Sequence, residues 1–317
     1  MRTVFFGSPA AALPSLQGLI EGGHSVELVV TQPDRPAGRG RRPAPSAVKA
    51  FALDHGLSVI EPARIRADES ALSLVRAASP DVNVVVAYGQ IIPRAIHYLP
   101  RFHSLNVHFS LLPKYRGAAP VQRAVLNGEA ESGVTIIELN DRMDEGDILA
   151  VERVAVGQRE AAMTLESRLA VVGARLLLET LAGIDRIAPV VQDERKATLA
   201  PKVRKGEGLV AWSATAETVD RLVLALADRP GVFSFYAGKR FNILRGRPEA
   251  PRGAPAGPFS APPGTILEAR KEGLLVACGG GTAFLIERLR PEGRGVMSGH
   301  AFSLGTRIVP GARFGEA

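Results

Sequence analysis

In the first half of the chain, short β-branched runs alternate with helix-like segments, and that alternation constrains the fold more than any other feature. Arg2 to Phe6, Ser25 to Thr31, Val82 to Tyr88 and Ser104 to Phe109 read as strands. Those around Val29 and Val84 are almost continuously apolar, which suits a strand covered on both faces. The pattern predicts an α/β domain with a mainly parallel sheet.

The chain has 317 residues, roughly twice a common domain length, so two cores are expected. Leu165, Leu169, Val172, Leu176 and Leu177 recur at spacings of three and four, predicting a helix over 164–181 that closes the first domain. The polar, charged stretch from Pro189 to Gly206 has no sustained periodicity and reads as a linker. Residues 1–189, 190–206 and 207–317 are therefore expected to form the first domain, the linker and a second domain. In the last of these a helix is expected over Ala214 to Ala227, followed by short strand-like runs at Gly264 to Leu267 and Leu274 to Gly279. Gly and Pro punctuate those runs, suggesting a small β-barrel, with 246–263 as a loop or insertion.

Hydrophobic residues at 46% and charged residues at 22% are the balance of a globular protein. No apolar run approaches the ~20 residues of a membrane-spanning helix. Met1 leads at once into a strand-like run, so no targeting segment is expected, and a cytoplasmic location follows. Cys278 is the single cysteine, which excludes an internal disulfide and the common zinc motifs and fits a reducing compartment. The net charge of +7 favours polyanionic partners. Between Gln32 and Lys49, Arg35, Arg39, Arg41, Arg42 and Lys49 face the single acid Asp34 on a Pro- and Gly-rich backbone, a concentrated positive loop.

The chemistry is concentrated in Ser104-Leu-Asn-Val-His-Phe-Ser-Leu-Leu-Pro-Lys-Tyr-Arg-Gly-Ala-Ala-Pro-Val-Gln122. On an extended backbone Asn106, His108 and Ser110 emerge on one face. A covered sheet tolerates such a polar face only where a strand ends, at the crevice in which open α/β sheets bind ligands. An amide donor beside an imidazole suits acyl transfer, the amide bonding a developing oxyanion while the histidine moves a proton. With the cysteine far off and no Gly-x-Ser-x-Gly elbow, direct attack by a substrate amine fits better than a covalent acyl-enzyme. Asp141, Asp144, Glu145 and Asp147 are the candidate carboxylate partners for the histidine, and spacing alone does not choose among them. The remaining histidines, His24, His55, His97, His103 and His300, sit in no catalytic grouping.

Asn106-x-His108-x-Ser110-Leu-Leu-Pro113, followed by the Gly/Asp-rich segment around Asp144, resembles the folate-dependent formyltransferases. The longer run from Ser110 to Gln122 resembles the branch that acts on methionyl-tRNA more than those acting on glycinamide ribonucleotide or sugar amines. Thr31 to Gly40, Ala87-Tyr-Gly-Gln90, Ala197 to Lys202 and Gly299 to Gly305 are similar to the same branch, so the resemblance spans nearly the whole chain.

That resemblance implies a Rossmann-like catalytic domain and an OB-like β-barrel. It implies formyl transfer from 10-formyltetrahydrofolate to the methionine amine of initiator tRNA by a monomer, with no metal and no membrane. Asn106, His108 and Asp144 become the catalytic residues, and Tyr88, Gly89, Gln90, Ile91, Ser110, Leu111, Leu112 and Pro113 the lining of the folate pocket. Arg35, Arg39, Arg41, Arg42 and Lys49 become contacts to the tRNA acceptor end. Gly7-Ser8-Pro9 is not a dinucleotide fingerprint, so the topology does not imply NAD.

The chain departs from the family pattern at Glu145, where threonine is usual, at Leu199, where tyrosine is usual, and over Leu224 to Arg229. Glu145 sets an additional negative charge beside Asp144. A formyltransferase for an amino sugar nucleotide is the enzymatic alternative, and a formyltetrahydrofolate hydrolase a weaker one, since neither accounts for the Arg-rich loop. A non-catalytic RNA-binding protein would have little use for Asn106 and His108 together with Asp144.

Overall fold

The computed structural model describes residues 1–37, 42–251 and 260–315. Contacts divide the chain into two units: Met1–Val121, Ala130–Val156 and Thr164–Pro201 form one, and Gln122–Glu129, Gly157–Met163 and the chain from Lys202 onward form the other.

The first unit holds strands β1 (Arg2–Gly7), β2 (Ser25–Val30), β3 (Arg35–Ala37), β4 (Arg42–Ala44), β5 (Val59–Ile60), β6 (Val82–Val86), β7 (Ser104–His108), β8 (Glu131–Glu138) and β9 (Ile148–Ala155). Helices α1 (Leu13–Glu21), α2 (Ala47–Asp54), α3 (Glu69–Ala77) and α4 (Arg94–His97) fall between them. Next come α5 (Pro120–Asn127), most of which groups with the second unit, and the long α6 (Ala162–Gly183).

Seven strands make one sheet in the order β5-β2-β1-β6-β7-β8-β9. β5 to β7 run parallel, whereas β8 and β9 are antiparallel additions beside β7. Sheet residues alternate between two cores. Val4, Phe6, Leu28, Val30 and Val85 pack with Ile65, Leu72, Val75, Tyr88 and Ile96 in a single cluster. On α6, Leu165, Leu169, Leu176 and Leu177 are buried as the periodicity predicts, while Val172 is half-buried. Gly173 lets this helix approach the sheet closely, since a Cβ there would lie 2.7 Å from Val107 Cγ1.

Residues 190–206 divide between the units. Up to Pro201 the stretch belongs to the first, where Leu199 forms a parallel bridge with Arg116 and Gln192 is buried.

The second unit contains α7 (Ala216–Leu226), strands β10 (Val232–Tyr236), β11 (Lys239–Pro248), β12 (Ile266–Arg270), β13 (Gly273–Ala277), β14 (Ala283–Pro291) and β15 (Met297–Ser298), and α8 (Gly299–Thr306). The antiparallel order is β10-β11-β14-β13-β12, with β15 also on β14. The C-terminal segment closes this sheet. Gly315 bridges Phe235 of edge strand β10, and Arg313 bridges Thr265 beside the other edge, so both edges are paired as in a small barrel. Phe314, between those bridges, packs on Phe241 and Trp212 with centroids 4.8 and 6.0 Å apart. The 122–129 and 157–163 segments join this unit through Arg123 on Glu207 and Arg159 on Asp220.

Candidate active site

β7 runs between β6, with Val85 in register with Asn106, and β8, with Thr135 in register with His108. Asn106 and His108 therefore project together at the carboxyl end of the parallel strands, beside the turn that follows β6. The strand stops at His108, and Ser110 leaves that face to donate its hydroxyl to the Lys114 carbonyl at 2.7 Å.

Asp144 closes the group. Asn106 Nδ2 donates to its Oδ1 at 3.3 Å, the Gly117 N–H donates to its Oδ2 at 2.8 Å, and His108 Nδ1 stands 3.7 Å from Oδ2. His108 Nε2 lies 3.0 Å from the Tyr115 carbonyl. A carbonyl only accepts, so the neutral ring carries its proton on Nε2 and leaves Nδ1 facing Asp144. The imidazole is 7% exposed and the Asp144 carboxylate 14%, which limits competition from water without sealing the group off.

The other three acids have different occupations. Asp141 contacts Arg94 at 3.1 Å and His97 at 3.4 Å. Glu145 faces Arg116 at 3.7 Å and Arg142 at 3.3 Å, so the charge expected to bear on Asp144 is balanced by two guanidinium groups. Asp147 accepts the Glu138 N–H through its backbone at 2.9 Å. Among these acids only Asp144 reaches both Asn106 and His108.

The turn after β6 carries the first half of the expected folate lining. Tyr88 buries its ring against Phe6, and burial pushes its phenol well above the usual range. Its carbonyl accepts from Gln32 Nε2 at 2.6 Å. Gln90 turns its amide back to Ile65 N and Pro62 O, both at 2.9 Å, while Ile91 is exposed. Gly89 has φ +78°, a left-handed conformation suited to glycine. This turn thus offers a ligand backbone and an apolar edge more than polar side chains.

The second half is already engaged internally. Thr135 Oγ1 donates to Ser110 O at 2.7 Å and accepts from Leu112 N at 3.1 Å, Leu111 O accepts from Lys114 N, and Pro113 O accepts from Thr198 N. Ser110 to Pro113 therefore makes a firm wall beside His108.

β3 and β4 pair as a hairpin at the root of the positive loop, with Ala37 opposite Arg42. Arg35 is exposed and reaches Gln32. Arg39 and Arg41 lie outside the described residues. Lys49 bonds Asp34 at 2.8 Å and Glu61 at 2.7 Å, and those bonds hold its ammonium pKa above the usual lysine value.

Thr135, Arg116, Gly117 and Gln192 were not singled out by sequence reasoning. Thr135 and Gln192 lie in segments with no motif, while Arg116 and Gly117 sit inside the quoted run without a role of their own. Among the described residues no group of three or more His, Cys, Asp or Glu could hold a metal ion, and no helix is long and apolar enough to cross a membrane.

Residues 1–181 match the family model described as formyl transferase, and residues 202–307 match that of the formyl transferase C-terminal domain. The methionyl-tRNA formyltransferase of Thiobacillus denitrificans is 43% identical over 315 residues, spanning 99% of this chain and 100% of that protein. Among solved structures, HypX from Aquifex aeolicus in complex with tetrahydrofolic acid has a TM-score of 0.63 at 19% identity, over 96% of this chain and 47% of that longer one. An N-formyltransferase from Helicobacter canadensis, solved with folinic acid and dTDP-3-aminofucose, has a TM-score of 0.66 at 15% identity, over 92% of this chain and 99% of that one. Those two likenesses are of fold. Matches in both halves, together with a relative of this identity along its full length, mean that the chain belongs to the methionyl-tRNA formyltransferases of the formyl transferase family.

Proposed function

We propose that the chain transfers the formyl group of 10-formyltetrahydrofolate to the free amino group of methionine on initiator methionyl-tRNA, in the cytoplasm, with Asn106, His108 and Asp144 as its catalytic residues. The observation that carries this is their meeting at one strand end, with Asp144 bonded to Asn106 and facing His108 Nδ1.

The folate supplies a formyl carbon on a nitrogen leaving group: a C–N bond to the methionine amine forms, the C–N bond to the folate nitrogen breaks, and one amine proton passes to that nitrogen. Asn106 keeps one Nδ2 hydrogen free of Asp144 and donates it to the formyl oxygen as charge builds there. His108 moves the proton at Nδ1, the nitrogen not engaged by Tyr115. Protonated there, it adds a second donor for the formyl oxygen, and the Asp144 carboxylate balances and orients the imidazolium.

The residues present suit a folate. The turn at Gly89 to Ile91 leaves backbone groups and an apolar side chain toward the strand ends for the pteridine, and Ser110 to Pro113 supplies the opposite wall. Arg35, Arg39, Arg41 and Arg42 meet the phosphates or bases of the acceptor end. Lys49, bonded to two carboxylates, fixes the root of that loop.

Transfer of labelled formyl from 10-formyltetrahydrofolate to initiator methionyl-tRNA, with Asn106→Ala, His108→Ala and Asp144→Ala variants alongside, tests the reading. Transfer by the wild type that falls by ~100-fold or more in each variant, with tRNA binding retained, is expected. Absence of transfer by the wild type, with formylation of a dTDP-linked amino sugar instead, would overturn it.

A further inference from the structure

Asp144 has φ +56°, a left-handed backbone that is unfavourable for a residue with a Cβ. Its carboxylate reaches Asn106, Gly117 and His108 from that conformation, so something must hold the backbone there. Gln192 does so from outside both family-matched segments, which end at residue 181 and begin again at residue 202. Its side-chain Nε2 donates to the carbonyl of Asp144 and to that of Gly146, both at 2.8 Å. Its Oε1 accepts from Nε and Nη2 of Arg116 at 3.0 and 2.9 Å.

Both amide hydrogens and both oxygen lone pairs of Gln192 are thereby used, on a residue 5% exposed. Arg116, 4% exposed, is anchored in turn by a bidentate pair with Glu194 at 2.9 and 2.8 Å. Its backbone is bonded to Thr198 O and Ala200 N. Residues 192–200 thus form a rigid frame, and Gln192 is the member of it that grips the catalytic turn.

We propose that Gln192 is a positioning residue for Asp144: it fixes the 144–146 turn so that the carboxylate faces His108 Nδ1. This rests on the reading that Asp144 serves catalysis. A glutamine is required because one side chain must donate to two carbonyls on one side and accept from a guanidinium on the other. Glutamate matches its shape and keeps the Arg116 bond, but turns an anionic oxygen toward two carbonyls.

The test compares Gln192→Glu and Gln192→Met with the wild type in steady-state transfer and thermal melting. The expected result is a kcat lower by ~10–100-fold in both, since a small displacement of a reacting group carries that penalty. KM for folate donor and for tRNA should stay within about twofold, while the Tm should fall only modestly in Gln192→Glu, where the retained Arg116 bond offsets part of the cost of an anionic oxygen against two carbonyls. An unchanged kcat in either folded variant overturns the proposal. So does a loss that appears equally in KM, kcat and Tm, which marks a merely structural role. Asp144→Ala run in parallel separates the two readings: if it leaves transfer intact, the assignment of Asp144 itself fails, whatever Gln192 does.

Discussion

Gly117 donates its backbone N–H to Oδ2 of Asp144 at 2.8 Å while sitting at φ +124°, where a Cβ would lie 2.7 Å from the carbonyl oxygen of Ala200. The loop after β7 must therefore pass close to the 198–200 segment to deliver that N–H, and only a residue without a side chain passes. The same oxygen of Asp144 that faces His108 is held by a backbone group instead of by a mobile side chain. Such preorganisation keeps the carboxylate in place as charge develops on the imidazole.

Gly117→Ala should consequently lower kcat for formyl transfer by ~10–100-fold, because the loop must shift by several tenths of an ångström to relieve the clash. Stability should fall too, by about 1–3 kcal/mol. Steady-state kinetics with chemical denaturation checks both, and a variant of wild-type kcat would show that the Gly117 bond is dispensable.

Gly173 serves packing where Gly117 serves the site. A methyl group at this α6 position meets Val107 Cγ1 at 2.7 Å, Val134 Cγ1 at 3.3 Å and Phe109 Cε1 at 3.4 Å, all on short or rigid side chains. Gly173→Ala gains helix propensity of about 1 kcal/mol but overpacks the strand carrying His108, at a cost of about 1–3 kcal/mol. A net loss of Tm is expected, and a gain would mean that helix and sheet separate freely.

The parallel part of the sheet was legible because strands buried on both faces are written as nearly unbroken apolar runs, as at Val84. β8 and β9 were missed: β9 alternates between exposed and half-buried residues, and no turn motif marks the entry to either strand. For the site, Asn106 and His108 stood out because two polar residues at alternate positions violate the apolar pattern of a covered strand. Asp144 could not be chosen from four nearby acids by spacing, since the choice depends on a left-handed turn that no local residue preference announces. Gln192 was hidden for a related reason. A single buried glutamine in a charged, aperiodic segment looks like a linker until its partners are seen, because burial by hydrogen bonding leaves no periodic trace.

The basic loop yields a prediction specific to salt. Phosphate contacts release counterions, so each one lost should reduce the slope of log affinity against log salt by about 1. Arg35→Ala and Arg42→Ala should each weaken tRNA binding and flatten that slope while KM for the folate donor is unchanged. Equal slopes for wild type and both variants would assign the loop's charge to solubility alone.

Cys278 is 2% exposed, and burial pushes its thiol up to about 12. The nucleophilic thiolate is therefore scarce in the folded chain near neutral pH. A thiol-specific reagent at pH 8 should label the native protein slowly and the denatured protein within the mixing time. Rapid labelling of native protein would contradict that burial.

His97, at the end of α4, links folding to pH through its burial beside Asp141. Its ring is 3% exposed, with Nε2 3.4 Å from Asp141 Oδ1, and Arg94 and His103 are the other charged or titratable groups acting on it. Burial, the largest cause, lowers its pKa below 6.5 despite the opposing pull of Asp141. The neutral ring is thus favoured in the folded chain, and the unfolded chain takes up its proton first as pH falls. The stabilisation is present in full above about pH 6.5 and is lost as pH drops through the lower, folded value. Melts of wild type and His97→Leu should show a Tm difference in favour of wild type at pH 7.5 that narrows at pH 5.0. A difference that holds or widens on acidification would mean that Asp141 outweighs burial, with the ring protonated in the folded protein.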